Sequence, residues 1–283
     1  MFTLIVQNKY GQRLELTHNP AYTVYQIEGL DPPDAQINTT HNAGYDGSVF
    51  NSAYEKDRTI TITMKIESPA EPNRIALYRY LKTKFPVRLF YKNGMRDVYI
   101  DGFVQSMQIG FFQIKQTIQI VIFCPKSNLS GAVSSAQEFY STNALFEFPF
   151  SINESEPIPF SEIVTGLEKS IINAGDLETG VMITIDAIGT VVNPKIYNVD
   201  DGTFMILNIT MQAGDSITIN TRQGEKSVTM HRGGTDINLI GNMQRNSTWF
   251  ILQPGDNIFT TTADDGAENM MVIFTVIDQY QGV

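Results

Sequence analysis

Residues 58–68 read RTITITMKIES, and the alternation in that stretch decides the class of fold. Ile60, Ile62, Met64 and Ile66 share one parity, with Thr61, Thr63 and Lys65 on the other. Successive strand side chains point to opposite faces, so a period of two predicts a strand buried on one side and wet on the other. Upstream, FTLIVQN (2–8), RLELT (13–17) and YTVYQIEGL (22–30) read as further strands. The prolines of DPPD (31–34) stop the third, because proline cannot donate to a ladder. Between that stop and residue 58 lies AQINTTHNAGYDGSVFNSAYEKD, polar and glycine-rich with no sustained apolar face, which predicts a long loop.

Downstream the period changes. In SPAEPNRIALYRYLKTKF (68–85), Ile75, Tyr78, Leu81 or Lys82, and Phe85 recur three or four apart, with Leu77 beside them, which predicts an amphipathic helix. Ser68 or Pro69 with Glu71 marks its start, and Phe85-Pro86 its end. VRLFYKN and RDVYIDGFVQSMQIG follow as strands joined at Asn93-Gly94, and then FQIKQTIQIVIFCP. At CPKSNLSGAVSS the pattern dissolves into Pro, Ser, Gly and Asn, which places a domain boundary near residue 130 and predicts domains 1–130 and 131–283. The segment 134–162 reads as a strand or connector whose prolines bar it from a central sheet position. From KSIINAGD onward, short strands, TFMILNITM (203–211) among them, recur every eight to twelve residues between Gly-Asp and Asp-Gly turns, the pattern of an antiparallel β-sandwich.

Charge divides in the same place. Residues 1–130 carry 14 Lys+Arg against 11 Asp+Glu, and residues 131–283 carry 6 against 19. An acidic half argues against nucleic-acid binding, which rests on cationic neutralisation of phosphate, and the basic half has no run denser than RYLKTK. The N-terminal residues have no basic leader or small-residue cleavage site, and no window reaches the ~20 apolar residues of a membrane span. A soluble product made in a reducing compartment is the expectation, in keeping with a single cysteine, Cys124.

Catalytic and metal-binding patterns are not found. His18, His41 and His231 form no ligand pair, and no phosphate-binding glycine loop precedes a helix. Cys124, at the end of an apolar strand and followed by Pro125, reads as a buried structural thiol. Asp200-Asp201-Gly202 and Asp264-Asp265-Gly266 could supply paired carboxylates or calcium oxygens, but beside glycine in a hairpin turn aspartate is favoured for its bonds to nearby amides. The expectation is no enzyme, no cofactor and no metal.

Two features point to surfaces. Tyr45, Phe50 and Tyr54 lie in the polar loop; they either anchor it to its own domain or form an interface with a neighbouring chain, where aromatics are the usual anchors. Trp249, the only tryptophan, sits in STWFILQPGDNIF (247–259), where Trp249 and Ile251 alternate with Phe250 and Leu252. One pair must line a sandwich core, so Trp249 is either a packing residue or an exposed contact for a sugar or a partner protein.

Read together, YQIEGLDPPDAQINTT, DGSVFNSAYEKDRTITITMKI, NRIALYRYLKTKFPVRLFYKNGMRDVYIDGFVQSM and TIQIVIFCPKS resemble the N-terminal domain of the phage distal tail protein family. NITMQAGDSITINTRQGEKSVT and STWFILQPGDNIFTTTADDGAENMMVIFTVIDQYQGV resemble that family's second domain, so the resemblance spans nearly the whole chain. It implies a mainly β protein: a split β-barrel-like first domain with one helix and a long hairpin or loop, then a galectin-like or carbohydrate-module-like sandwich. It further implies a structural role, a homo-hexameric hub in the virion at the tail tip, between a tail tube protein and a tail-associated tip protein, with DNA passing through its channel. The acidic domains would face outward, carrying a receptor-binding protein or meeting a glycan, with no membrane and no sequence-specific nucleic-acid contact. Six copies would carry about −60, which self-repulsion tolerates if the acidic halves stand at the periphery. The alternative is a carbohydrate-binding adaptor attaching the particle to cell-wall glycans.

Overall fold

Strand alternation builds the first unit of the computed structural model, which describes residues 2–44, 46–110, 116–138, 141–144, 161–164 and 168–283. Its strands are Thr3–Asn8 (β1), Arg13–Glu15 (β2), Tyr22–Glu28 (β3), Ala35–Thr40 (β4), Val49–Glu55 (β5), Arg58–Ile66 (β6), Pro86–Lys92 (β7), Asp97–Ile109 (β8), Thr117–Cys124 (β9) and Leu129–Gly131 (β10). An open antiparallel sheet runs β2-β1-β7-β8-β9-β6-β3, with β10 added to β8. Every second residue of β6 is buried, and Ile60, Ile62 and Met64 share a core with Leu4, Val6, Leu89, Ile118 and Ile120.

One helix, Ala70–Tyr80 (α1), is present among the described residues, and it corrects the expected apolar face. Leu77 and Leu81 are buried, whereas Ile75, Tyr78 and Phe85 are exposed. Both rows carry apolar residues, so spacing alone could not set the phase. Lys84, at φ 72, turns the chain out of helical register before Phe85 is reached.

Residues 35–57, which composition reads as a loop and the family resemblance as a long hairpin or loop, form a hairpin. β4 and β5 pair antiparallel from Ala35↔Glu55 to Thr40↔Val49, with a bulge where Asn51 is the extra residue. Few of its side chains are even half-buried, so the apolar alternation by which a strand is recognised is missing although the ladder is intact.

The chain divides into Met1–Val133 with Gln279–Val283, and Ser134–Asp278. The last five residues therefore belong with the first unit, whereas the sequence pattern groups them with the second. Gln279 and Tyr280 pair with Ser130 and Leu129, a union separated by about 150 residues of sequence and invisible to any local periodicity.

The second unit is all strand apart from two single-turn 3-10 helices among its described residues. Its strands are Ser135–Glu138 (β11), Ser141–Ala144 (β12), Ser161–Val164 (β13), Lys169–Asn173 (β14), Thr179–Ala187 (β15), Val191–Val192 (β16), Lys195–Asn198 (β17), Phe204–Ile206 (β18), Thr210–Met211 (β19), Ser216–Asn220 (β20), Ser227–Arg232 (β21), Thr235–Asn238 (β22), Ile251–Leu252 (β23), Gly255–Thr262 (β24) and Met270–Val276 (β25). One sheet runs β11-β25-β15-β20-β21-β22 with β23 beside β15, a second runs β14-β24-β17-β18, and β12–β13 and β16–β19 form separate pairs. Both large sheets feed one core, from Ile183, Ile217, Val228 and Phe274 on the first and Ile171, Ile196 and Phe259 on the second. Phe259 sits at its centre, its ring 5.2 Å from Phe250 and 5.0 Å from Phe274. The buried Asp215 carboxylate accepts hydrogen bonds from Arg232 Nε at 2.9 Å and Gln212 N at 2.7 Å, which ties the end of β20 to β21. Arg232 above all holds its pKa below the usual carboxylate range.

Candidate functional site

The β4–β5 hairpin is the feature least explained by its own domain. Cross-strand partners share a face, so its register puts Ile37, Ala53 and Phe50 on one side and Tyr54, Gln36 and Val49 on the other. Ile37 is 59% exposed, Phe50 63% and Tyr54 59%. An isolated two-stranded hairpin is marginal in water, so one showing apolar side chains on both faces lacks the third layer that would stabilise it. Of the three aromatics singled out by sequence, Phe50 and Tyr54 are brought onto this hairpin, on opposite faces; Tyr45 lies outside the described residues. Ile37 and Val49 join them; Ile37 was missed because it stands alone among polar neighbours, and Val49 because only the aromatic Phe50 beside it was singled out.

The base of the hairpin is held firmly. Lys56 N donates to Asp34 O at 2.9 Å and extends the ladder by one rung. The Glu55 carboxylate accepts from Ser127 Oγ at 2.6 Å and from Gln281 Nε2 at 2.8 Å. Arg58, 3% exposed, donates through Nη1 to Gly29 O and Asp31 O, through Nε to Ser127 O and through Nη2 to Gln281 O, all at 2.6–2.7 Å. Arginine's planar fork suits four carbonyls arrayed around it. Gly29 is needed in this arrangement: at φ +85 a Cβ would lie 2.1 Å from Thr59 O. Burial pulls the guanidinium pKa down against the pull of neighbouring acidic groups. The signal for Arg58 was in the sequence, since it shares the parity of Ile60 and Ile62, where a cation must be fully hydrogen-bonded.

The remaining candidates are spread apart. Trp249 is half-buried and packs against the core of the second unit, with Lys226 Nζ 5.6 Å from its ring centroid. Phe250 and Leu252 point inward while Ile251 is 48% exposed, so the inward pair of the alternation is the even-numbered one. Asp201 Oδ1 accepts from Thr203 N at 2.9 Å, Asp200 Oδ2 from Ile258 N at 2.7 Å, and Asp264 pairs with Lys195 and Asn193. Each carboxylate has a role in a turn or between strands, and the described residues hold no cluster of His, Cys, Asp and Glu able to bind a metal.

Cys124 is buried, and burial pushes its thiol up to about 12. Because its folded pKa lies above the unfolded value, its contribution to stability is complete below the unfolded pKa and is lost as pH rises through about 12. Labelling with a maleimide at pH 8 should be negligible in the native protein and complete in denaturant; rapid native labelling would mean that the first unit opens readily.

Comparisons with known proteins now bear on this geometry. Residues 174–276 match the family described as siphovirus-type tail component, C-terminal domain. The fold is similar to that of the SPP1 Dit (gp 19.1) protein, described as a paradigm of the hub adsorption apparatus in Gram-positive-infecting phages. The TM-score is 0.68 at 15% identity, with 98% of this chain and 99% of that chain covered. It is also similar to chains of the phage P2 baseplate in its activated conformation, at 14% identity with both chains covered completely. The TM-scores there are 0.59 for the calcium form and 0.57 for the strontium form. No curated protein sequence matches significantly.

Proposed function

We propose that the first unit assembles with copies of itself into the hexameric hub ring of a phage tail tip, a reading supported by the match of residues 174–276 to the siphovirus-type tail components and by a fold similar to that of a phage hub protein. The observation that carries the proposal is the hairpin with exposed apolar side chains on both faces, to which another copy of the chain would add the missing layer. Charge supports it: residues 1–130 hold three more cations than anions and residues 131–283 thirteen more anions than cations, so repulsion between copies is least when the acidic units stand away from the ring. In this role the hub joins the tail tube protein on one side to a tip protein on the other, leaves a channel for DNA, and presents its acidic units to attachment proteins.

Light scattering of the full chain across concentration tests it. The mass should rise to that of several chains, with six as the closed form, and should fall to one chain in Phe50→Asp with Tyr54→Asp. Both positions are exposed, so the stability of the single chain should change by no more than roughly 0.5 kcal/mol, apart from what is lost with the oligomer itself. A wild-type protein that stays a single chain at the highest attainable concentration would sink the proposal.

A second reading, glycan attachment, is favoured by one observation: Trp249 is partly open on the second unit with a lysine over its ring. Glycan binding by the full chain that is lost in Trp249→Ala and kept in Trp249→Phe would support it. Absence of binding to cell-wall glycans would remove it.

A further inference from the structure

Arginine presents two donors side by side on one edge of its guanidinium, Nε and Nη2, and a carboxylate meets that edge with both oxygens at once. The chain uses the edge in this way twice. Arg88 holds Asp101 through Nε at 2.7 Å and Nη2 at 2.8 Å, and Arg232 holds Asp215 through the same two atoms. Arg222 has the edge with nothing on it. Its Nε and Nη2 are both buried, and neither finds an acceptor among the described residues. Buried donors without a partner are costly, so an empty fork calls for a physical reason.

Its surroundings supply one. Arg222 opens the turn between β20 and β21, and its backbone crosses Gly180 so closely that a Cβ there would lie 2.6 Å from Arg222 Cα. Gly180 pairs with Ile251, which lies two residues beyond Trp249 and is 48% exposed. At the other end of the same turn, Lys226 sets its Nζ 5.6 Å from the Trp249 ring centroid. A half-buried indole, an exposed aliphatic side chain and two of the six cations of residues 131–283 are thus gathered at one corner. The acidic residues adjoining Gly180 and the turn leave the fork empty: Glu178 accepts from Gln253 Nε2 at 3.4 Å, and Glu225 is tied to Arg222 only by its backbone N, which donates to Arg222 O at 3.0 Å.

We propose that this corner binds a glycan through a carboxylated sugar residue, the carboxylate entering the Arg222 fork and the ring lying against Trp249, with Lys226 at the rim. The inference rests on the glycan reading of Trp249 and adds the class of sugar to it. An apolar wall with a few placed polar groups is the usual make-up of a small-ligand site: the indole supplies area and the fork supplies orientation. Arg222 as a whole is half-buried, so a rotation of its long side chain brings the edge to the surface, and the two donors give up no bond in moving. Charge narrows the class further. Residues 131–283 carry 19 acidic side chains, which repel a polymer of closely spaced negative charges, so the sugar acids that fit are isolated ones set among neutral rings.

The test titrates the full chain with tetrasaccharides containing glucuronate, galacturonate or N-acetylneuraminate, each beside its methyl ester, and with chitotetraose as a neutral chain. Trp249 fluorescence reads the binding, since it is the only tryptophan. At least one acid should bind saturably, with its ester weaker by about thirtyfold or more, the least expected from emptying one side of a buried, hydrogen-bonded charge pair. Arg222→Met should lose the same factor for the acid and nothing for the ester. Arg222→Lys, which keeps the charge without the fork, should recover little. Neither substitution should lower the melting temperature of the free chain, because the fork has no bond to lose. A methionine variant that melts well below wild type assigns Arg222 to the fold and overturns the site. Acid and ester bound alike overturn the carboxylate while leaving the glycan reading standing, as does tighter binding of glucose 6-phosphate than of any of the acids. No response to any saccharide overturns both.

Discussion

Replacing Arg58 by methionine should destabilise the first unit by about 3–5 kcal/mol, since hydrogen bonds from a charged donor are worth about 1.5–3 kcal/mol each and buried acceptors left without a partner cost a similar amount. Methionine fills a comparable volume, so packing is largely kept and the loss is electrostatic. Four carbonyls, of Gly29, Asp31, Ser127 and Gln281, lose a charged donor at once, and a thioether offers them no hydrogen in return. Calorimetry should show the lower transition, and hydrogen exchange should show residues 279–283 opening well before the sheet does. Arg58→Lys should recover little, since an ammonium offers one point charge where the fork reaches four acceptors. Unchanged exchange at 279–283 in the methionine variant would mean that the pairing of Gln279 and Tyr280 with β10 holds that segment without help from the guanidinium.

Phe259→Ala should cost the second unit about 3–5 kcal/mol, the usual range for emptying a buried phenylalanine site. Phe259 is fully buried and lies between Phe250 and Phe274, so truncation removes two ring contacts and leaves a void bounded by both sheets. Trp249 fluorescence is a convenient reporter, since it is the only tryptophan and packs on the same core. The fluorescence transition should move to markedly lower denaturant, and Phe259→Leu should restore most of the difference. A shift of less than about 1 kcal/mol would show that the sheets close over the gap, which the spread of measured cavity costs allows for collapsible sites.

Where burial falls on one face of a strand, sequence was a sufficient guide. The alternation in 58–66 and 179–187 is the alternation of buried and half-buried residues in β6 and β15, because each strand meets one core on one side. Legibility failed where the stabilising partner is remote or absent. The hairpin was hidden because neither face of β4 or β5 meets its own core. TFMILNITM (203–211) shows a related failure in the second unit: the run reads as one strand but is interrupted between β18 and β19, where Leu207 is bridged to Met243 instead. The anchor was hidden for a topological reason, since Gln281 reaches Glu55 and Arg58 across more than two hundred residues.

The return of residues 279–283 to the first unit has a consequence during synthesis. A ribosome delivers Arg58, Glu55 and Ser127 before the second unit and Gln281 after it, so in a nascent chain the base of the hairpin is braced by Gly29, Asp31 and Ser127 without Gln281. The two bonds of Gln281 are the last to join them. The base of the hairpin therefore reaches its full set of bonds only after the second unit has left the ribosome.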